Sequence, residues 1–148
     1  AIGAHSKIVV NGDPEAAKTA GANGVHLPEN GISVAEARSI VGSDALVGRS
    51  VHSTQAAIEA ESDGADYLFF GTVFPSRSHP GGVTSGLAGV GEAAKAVSIP
   101  VIAIGGITSQ NCRSVIDAGA SGVGVISAII GAYDSYRAAR ELKRALAS

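Results

Sequence analysis

The chain is poor in several residue types on which other protein classes depend. Its 148 residues include no methionine, no tryptophan and one cysteine, and only 4% of them are aromatic. A single cysteine, Cys112, excludes an internal disulfide bond and suits a reducing compartment, so we expect a cytoplasmic protein. No segment near the start has the pattern of a signal peptide, which agrees with that expectation.

Long apolar runs and clusters of charge are also scarce. The longest apolar run, at residues 122–132, is well short of the roughly 20 residues that a membrane helix needs. The formal net charge is −2, and the charged residues are scattered rather than gathered in a basic patch. We therefore expect no membrane partner and no nucleic-acid partner. Without methionine there is also no initiator residue, so we expect the chain to be part of a longer one.

A repeated unit of strand, loop, Ala-rich helix and Gly-Ala turn does run along the chain. The turn recurs at residues 20–25, 63–68 and 118–123, where a left-handed glycine can end each helix. Strands that alternate with helices in this way are typical of α/β proteins with a parallel sheet and right-handed crossovers. The repeat therefore predicts a parallel α/β fold.

Short apolar runs set the positions of the predicted elements. They predict six strands, at residues 7–11, 24–27, 46–52, 67–71, 101–105 and 122–127. Helices are predicted at residues 14–20, 34–41, 54–62, 87–97, 110–118 and 133–147. Pro14 suits a first helical turn, and Ser33 suits the cap of the second helix.

The number of units bears on the architecture. A TIM-type (β/α) barrel contains eight βα units, and six are visible here. We expect six of the eight units in this chain, with the first two missing, so that residues 1–148 form a single, N-terminally incomplete barrel domain. An open sheet is the alternative. Because unpaired strand edges tend to pair with other chains, we also expect a homo-oligomer.

Two neighbouring strand ends have a pattern that suits phosphate binding. Gly105 and Gly106 follow the fifth predicted strand, while Ile126 and Ser127 end the sixth. Glycine lets the backbone approach a ligand closely, and Ser109 can cap the next helix so that its free N–H groups face an anion. The last two strands of β/α barrels often carry a phosphate site. The alternative is that the glycines only permit a tight turn.

Polar residues follow other strands as well. Asn11 ends the first strand, and Ser50 and His52 end the third, where side chains face a barrel's active site. His26 fits a buried histidine with satisfied ring nitrogens. The longest connection, residues 71–86, is polar and long for a loop between strand and helix, so it is a candidate for substrate contacts. No set of residues has the spacing of a zinc site, and no metal site is predicted.

Six short motifs, taken in order, resemble the thiamine phosphate synthase and thiazole tautomerase (TenI-type) family. They are Asn11, GVHL at 24–27, GRSVH at 48–52, GTVFP at 71–75, IGGI at 104–107 and VIS at 125–127. The resemblance implies an eight-stranded β/α barrel and an enzyme of thiamine biosynthesis, either a transferase or an isomerase. The synthases join a pyrimidine, supplied as its pyrophosphate, to a thiazole phosphate in the presence of magnesium.

The resemblance also implies substrate contacts. Asn11 and Ser50 match contacts to the pyrimidine pyrophosphate, and Thr72 follows the glycine after which the tautomerases place a catalytic histidine. The remaining matches concern the thiazole phosphate and its phosphate cradle, and they are Ser76, Ser78, Gly105, Gly106, Ile126 and Ser127.

Four positions depart from the family pattern. Gly12 and Gly31 stand where the synthases have magnesium-binding aspartates, and His79 stands where they have lysine. Thr72 stands where the tautomerases have histidine. We therefore expect no cofactor. Magnesium would be required only if the protein is a synthase.

These departures shape the interpretation of function. A tautomerase-like protein that binds thiazole phosphate, with His79 as the catalytic group, is the main interpretation, because a proton transfer needs a group that titrates near neutral pH. The alternatives are a thiamine phosphate synthase and a non-catalytic homologue that binds a phosphorylated ligand.

Overall fold

Strands and helices alternate as far as residue 130 in the computed structural model, which describes residues 6–75 and 83–147. In these residues the strands are β1 (Val9–Asn11), β2 (Gly24–Leu27), β3 (Leu46–Val51), β4 (Tyr67–Phe70), β5 (Val101–Ile104) and β6 (Gly122–Gly124). The helices are α1 (Pro14–Thr19), α2 (Val34–Val41), α3 (Thr54–Ser62), α4 (Gly86–Ala96), α5 (Cys112–Asp117), α6 (Ser127–Ile130) and α7 (Ser135–Ala147).

The sheet is parallel, and its strands lie side by side in chain order from β1 to β6. A doubly wound sheet would reverse its strand order at a switch point. No reversal occurs in the described part of the chain, so successive crossovers wind in one direction, as they do in a β/α barrel. The predicted α/β fold with a parallel sheet is therefore confirmed, in the form of a six-stranded half-barrel.

The two faces of the sheet differ in how well they are covered. Side chains on the convex face, such as Val47, Leu68 and Phe70, pack under the helices and are at most 1% exposed. On the concave face, Phe69 and Ile104 are only half-buried. This difference follows from the alternation of side chains along each strand. The helices cover the convex face, whereas the concave face is only partly covered.

Side-chain caps fix the start of the first three helices close to the strand ends. Asp13 Oδ1 accepts a hydrogen bond from the Ala16 N–H at 2.9 Å, and Pro14 is the first residue of α1. Ser33 Oγ accepts one from the Glu36 N–H at 3.1 Å. The expected roles of Pro14 and Ser33 are thus confirmed, and short βα connections place these helices directly beside the strands.

The structure corrects several predicted boundaries. The first strand begins at Val9 rather than at residue 7, and the third ends at Val51 rather than at His52. The sixth strand ends at Gly124, and Ser127 begins the short helix α6, which the sequence pattern did not predict.

Ser109 does not cap α5. Asn111 Oδ1 accepts a hydrogen bond from the Thr108 N–H at 2.8 Å, which forms a separate turn and delays the helix until Cys112. Cys112 itself is fully buried, as a small apolar residue would be. In the described residues, no helix combines the length and the apolar character required to cross a membrane.

Candidate functional site

A cleft of about 290 Å³ opens at the carboxyl ends of β2 to β6, and we call it the strand-end cleft. Its polar lining residues are Glu29, Ser50, His52, Thr72 and Ser127, and its larger apolar ones are Phe69, Ile104 and Ile126. This volume is close to the lower limit of typical small-ligand sites, roughly 300 Å³. The carboxyl ends of barrel strands are where β/α barrels bind their substrates. The cleft is therefore the candidate site.

His26 lies below the cleft and joins two hydroxyl groups. Its Nε2 is 2.8 Å from Ser50 Oγ, and its Nδ1 is 3.1 Å from the Tyr67 hydroxyl oxygen. The ring also packs on Phe69, with 4.4 Å between ring centroids. His26 is 6% exposed, so the expected buried histidine with satisfied ring nitrogens is confirmed.

The surroundings of His26 and Tyr67 keep both groups uncharged at neutral pH. Burial, and to a smaller extent the positive charge of Arg49, lower the pKa of His26 from 6.5 to about 4. Burial, and then the negative charge of Asp66, raise the pKa of Tyr67 to about 12. Removal from water disfavours the charged form of each group. Ser50 consequently faces the cleft beside a neutral imidazole.

Glu29 fixes His52 at the mouth of the cleft. One carboxylate oxygen of Glu29 is 2.7 Å from His52 Nδ1, and the other accepts a hydrogen bond from the His52 backbone N–H at 3.0 Å. The sequence analysis did not predict the contact between Glu29 and His52. A signal was available, because Glu29 and His52 follow neighbouring parallel strands, whose carboxyl ends meet at one edge of the sheet.

The predicted phosphate cradle is only partly gathered at the cleft. Ile126 and Ser127 line it, whereas Gly105 and Gly106 do not occur among its described lining residues. Both glycines have positive φ angles, of 102° and 63°. A Cβ on Gly106 would lie 2.5 Å from the Pro75 carbonyl oxygen. The geometry thus explains these glycines by a tight turn against residues 72–75, and a phosphate role for them stays a prediction.

The other predicted site residues fall into three groups. Ser50 and Thr72 line the cleft together with Ser127. Asn11 ends β1 next to its register partner His26, but it does not line the cleft. The remaining three, Ser76, Ser78 and His79, lie outside the described residues. The structure therefore brings Ser50, Thr72, Ile126 and Ser127 together, and their binding roles stay predictions.

The residues at the strand ends do not fit a carboxylate-held magnesium ion. Magnesium is usually bound through one or two carboxylates together with substrate phosphates. Gly12 and Gly31 have no side chain to offer, and both oxygens of Glu29 contact His52. Within the described ranges, no three histidine, cysteine, aspartate or glutamate side chains are grouped so that they could hold a metal ion.

Comparison with known proteins decides the family. Residues 3–129 match the sequence profile of the TMP-TENI family, described as thiamine monophosphate synthase. The chain is 46% identical over 141 residues to a thiamine-phosphate synthase of Methanoculleus marisnigri, and 45% identical over 136 residues to one of Methylococcus capsulatus. The chain belongs to the thiamine monophosphate synthase family. The resemblance drawn from six short motifs is thereby confirmed.

Coverage and structural similarity add two facts about this member of the thiamine monophosphate synthase family. Its matches cover 95% and 91% of the chain but only 67% and 61% of those two relatives. The solved thiamine phosphate pyrophosphorylase from Pyrococcus furiosus is 37% identical, with a TM-score of 0.88 over 96% of this chain and 68% of that one. A 3-hexulose-6-phosphate synthase from Salmonella typhimurium, 21% identical with a TM-score of 0.73 over 97% of this chain and 74% of that one, shares the fold alone.

Proposed function

We propose that this chain is part of a thiamine phosphate synthase, which joins a pyrimidine to a thiazole phosphate and releases pyrophosphate. The observation that carries the proposal is the 45–46% identity, over more than nine-tenths of the chain, to relatives named thiamine-phosphate synthase. Those names favour the synthase over the tautomerase-like branch that we expected from the sequence. We therefore replace the tautomerase-like interpretation by the synthase.

The strand-end cleft supports this proposal by its size and by the distribution of its polar groups. Phe69 and Ile104 offer apolar surface for a small aromatic ring, and Ser127, where α6 begins, offers a hydroxyl group. A phosphorylated thiazole has the same division, with an apolar ring at one end and an anion at the other. We propose that its phosphate lies near Ile126 and Ser127.

A second candidate rests on Gly12 and Gly31. A pyrophosphate needs cations to offset its charge, and in this family pattern aspartates at these two positions would hold magnesium. Without their carboxylates, the chain is suited to bind a thiazole phosphate without turning it over. We propose this non-catalytic binding role as the alternative to the synthase, and turnover distinguishes the two.

We further propose that the half-barrel holds six of eight βα units. Three features support this proposal: the strand order without reversal, the free edges of β1 and β6 in the described part, and the span of 61–67% of two relatives. Two further βα units would pair with those edges and close the barrel.

Thiamine phosphate formation tests the proposed function. The protein is incubated with thiazole phosphate and the pyrimidine pyrophosphate, with magnesium or with EDTA, and the product is measured by chromatography. We expect product in at least one of the two conditions. If the protein binds thiazole phosphate but forms no product in either condition, the synthase proposal fails and the binding role replaces it.

A further inference from the structure

His26 is the one polar side chain that is buried among the described residues. A buried imidazole without partners is costly, and both nitrogens of this ring have one. A neutral imidazole carries its hydrogen on only one nitrogen, so one nitrogen donates a hydrogen bond and the other accepts. The two hydroxyl partners must therefore play opposite roles.

The role of Tyr67 decides between the two arrangements. In the described part of the chain, its hydroxyl group has a single hydrogen-bond partner, His26 Nδ1, at 3.1 Å. If this hydroxyl accepted a hydrogen bond from Nδ1, its own hydrogen would lack a protein acceptor in a half-buried position. In the opposite arrangement the free hydrogen is that of Ser50, which lines the cleft, whereas Tyr67 does not occur among the described lining residues. Since a buried unsatisfied donor costs about 1–3 kcal/mol, the arrangement in which the phenol donates to Nδ1 is favoured. The ring hydrogen then lies on Nε2.

The position of the ring hydrogen affects the strand-end cleft, because Ser50 contacts His26 and also lines the cleft. His26 Nε2 and Ser50 Oγ are 2.8 Å apart. With the ring hydrogen on Nε2, this nitrogen donates to Ser50 Oγ, and the hydrogen of the Ser50 hydroxyl group is left for another acceptor. Ser50 lines the strand-end cleft, and His26 does not occur among the described residues that line it.

We propose that Tyr67 and His26 are positioning residues that make Ser50 a hydrogen-bond donor to the ligand. The ligand atom at Ser50 is then an acceptor without hydrogen, either an unprotonated ring nitrogen or an anionic phosphate oxygen. The identity of that ligand rests on the proposed function, whereas the position of the ring hydrogen does not. Tyr67 thus acts on specificity without touching the ligand.

The ring hydrogen is measured directly by two-bond ¹H–¹⁵N correlation NMR on the ¹⁵N-labelled protein. We expect the hydrogen of His26 on Nε2. A hydrogen on Nδ1 overturns the proposal, whether or not the protein proves to be a synthase. Tyr67→Phe removes the donor to Nδ1, and we expect it to increase the Nδ1–H form. Tyr136→Phe is the matched control on an exposed tyrosine of α7, and we expect no change there.

Ligand binding supplies the second measurement. One neutral hydrogen bond corresponds to roughly a three- to tenfold change in affinity. We expect Tyr67→Phe to weaken binding of the pyrimidine pyrophosphate, measured by calorimetry, by about that factor. Inorganic pyrophosphate and the unphosphorylated pyrimidine serve as separate probes, and whichever loses affinity in the variant identifies the acceptor as a phosphate oxygen or a ring nitrogen.

A second pair of variants guards against a simple folding defect. His26→Gln retains an N–H donor toward Ser50 and is expected to lose less than about twofold in affinity, whereas His26→Leu has no donor and is expected to lose as much as Tyr67→Phe. Circular dichroism checks that each variant is folded. Equal affinity in the wild type, Tyr67→Phe and His26→Leu would show that the two residues are only structural and would overturn the proposal.

Discussion

Gly48 and Tyr67 are register partners on β3 and β4, and the Tyr67 ring lies where a side chain on residue 48 would be. A Cβ on Gly48 would fall 2.1 Å from Cζ of that ring. The absence of a side chain at Gly48 thereby leaves room for the Tyr67 ring, whose hydroxyl oxygen is 3.1 Å from His26 Nδ1. The glycine in the third strand is thus explained by packing, and not by backbone conformation.

Gly48→Ala should destabilise the protein by about 1–3 kcal/mol, because the added methyl group must displace the tyrosine ring. The free energy of unfolding from urea titrations measures this effect. Gly122→Ala on β6 is the control, since a Cβ there has no atom within 4 Å. We expect the control to change stability by less than about 0.5 kcal/mol. Equal effects of the two substitutions would contradict the packing explanation.

Stability should fall as the pH is lowered from about 6.5 to about 4, because of His26. Its pKa is about 4 in the folded protein and lies near the ordinary 6.5 when the chain is unfolded. In that range the unfolded chain binds a proton that the folded protein does not, so the stabilisation present above pH 6.5 is lost.

The loss from this one group should be on the order of 2 kcal/mol. It is measured by urea unfolding of the wild type and of His26→Gln at several pH values. Glutamine does not titrate, so the variant should show a flatter profile over this range. Parallel profiles for the two proteins would show that His26 is not the group responsible.

Arg38 should support the fold without affecting ligand binding. Its guanidinium group donates to the carbonyl oxygens of Ala45 and Gly64, at 2.7 and 3.0 Å, and contacts Asp66 Oδ2 at 2.7 Å. These residues precede β3 and β4, at the end of the sheet opposite the cleft, where barrel residues contribute to stability.

We expect Arg38→Ala to cost roughly 1–3 kcal/mol of unfolding free energy. Arg113→Ala removes an exposed ion pair within α5 and should cost less than about 0.5 kcal/mol. Ligand affinity should be unchanged in both variants. A large drop in affinity for Arg38→Ala would place this residue in the site instead.

The free edges of β1 and β6 should make the chain self-associate. Unpaired parallel edges tend to pair with other chains, and we expect sedimentation to show oligomers of the 148-residue chain. Addition of two N-terminal βα units from a relative should yield a monomeric barrel core. A monomeric 148-residue chain that unfolds cooperatively would favour a genuine six-stranded fold.

Much of the fold could be predicted from local sequence patterns. The second strand and helices α2 and α3 lie at the predicted residues, because alternating apolar runs and side-chain caps act over a few neighbouring residues. Helix α6 was missed, since four residues carry too little periodicity to distinguish a helical turn from the end of a strand.

The site was less accessible to sequence reasoning. Ser50 and Ser127 were predicted from their places at strand ends, and both line the cleft. The contact between His26 and Tyr67 joins residues 41 positions apart, and it depends on the register of three strands and on the space above Gly48. No local pattern specifies these, so the hydrogen-bonded group below Ser50 emerged only from the structure.

The most direct test of a phosphate near Ser127 is calorimetric titration of thiazole phosphate into the wild type, Ser127→Asp and Ser121→Asp. Ser121 is exposed and lies at the opposite end of β6, so Ser121→Asp is the same change away from the cleft. A carboxylate beside the bound phosphate should lower affinity roughly tenfold or more by repulsion. We expect that loss for Ser127→Asp alone. Equal affinity in all three proteins would contradict a phosphate at this end of the cleft.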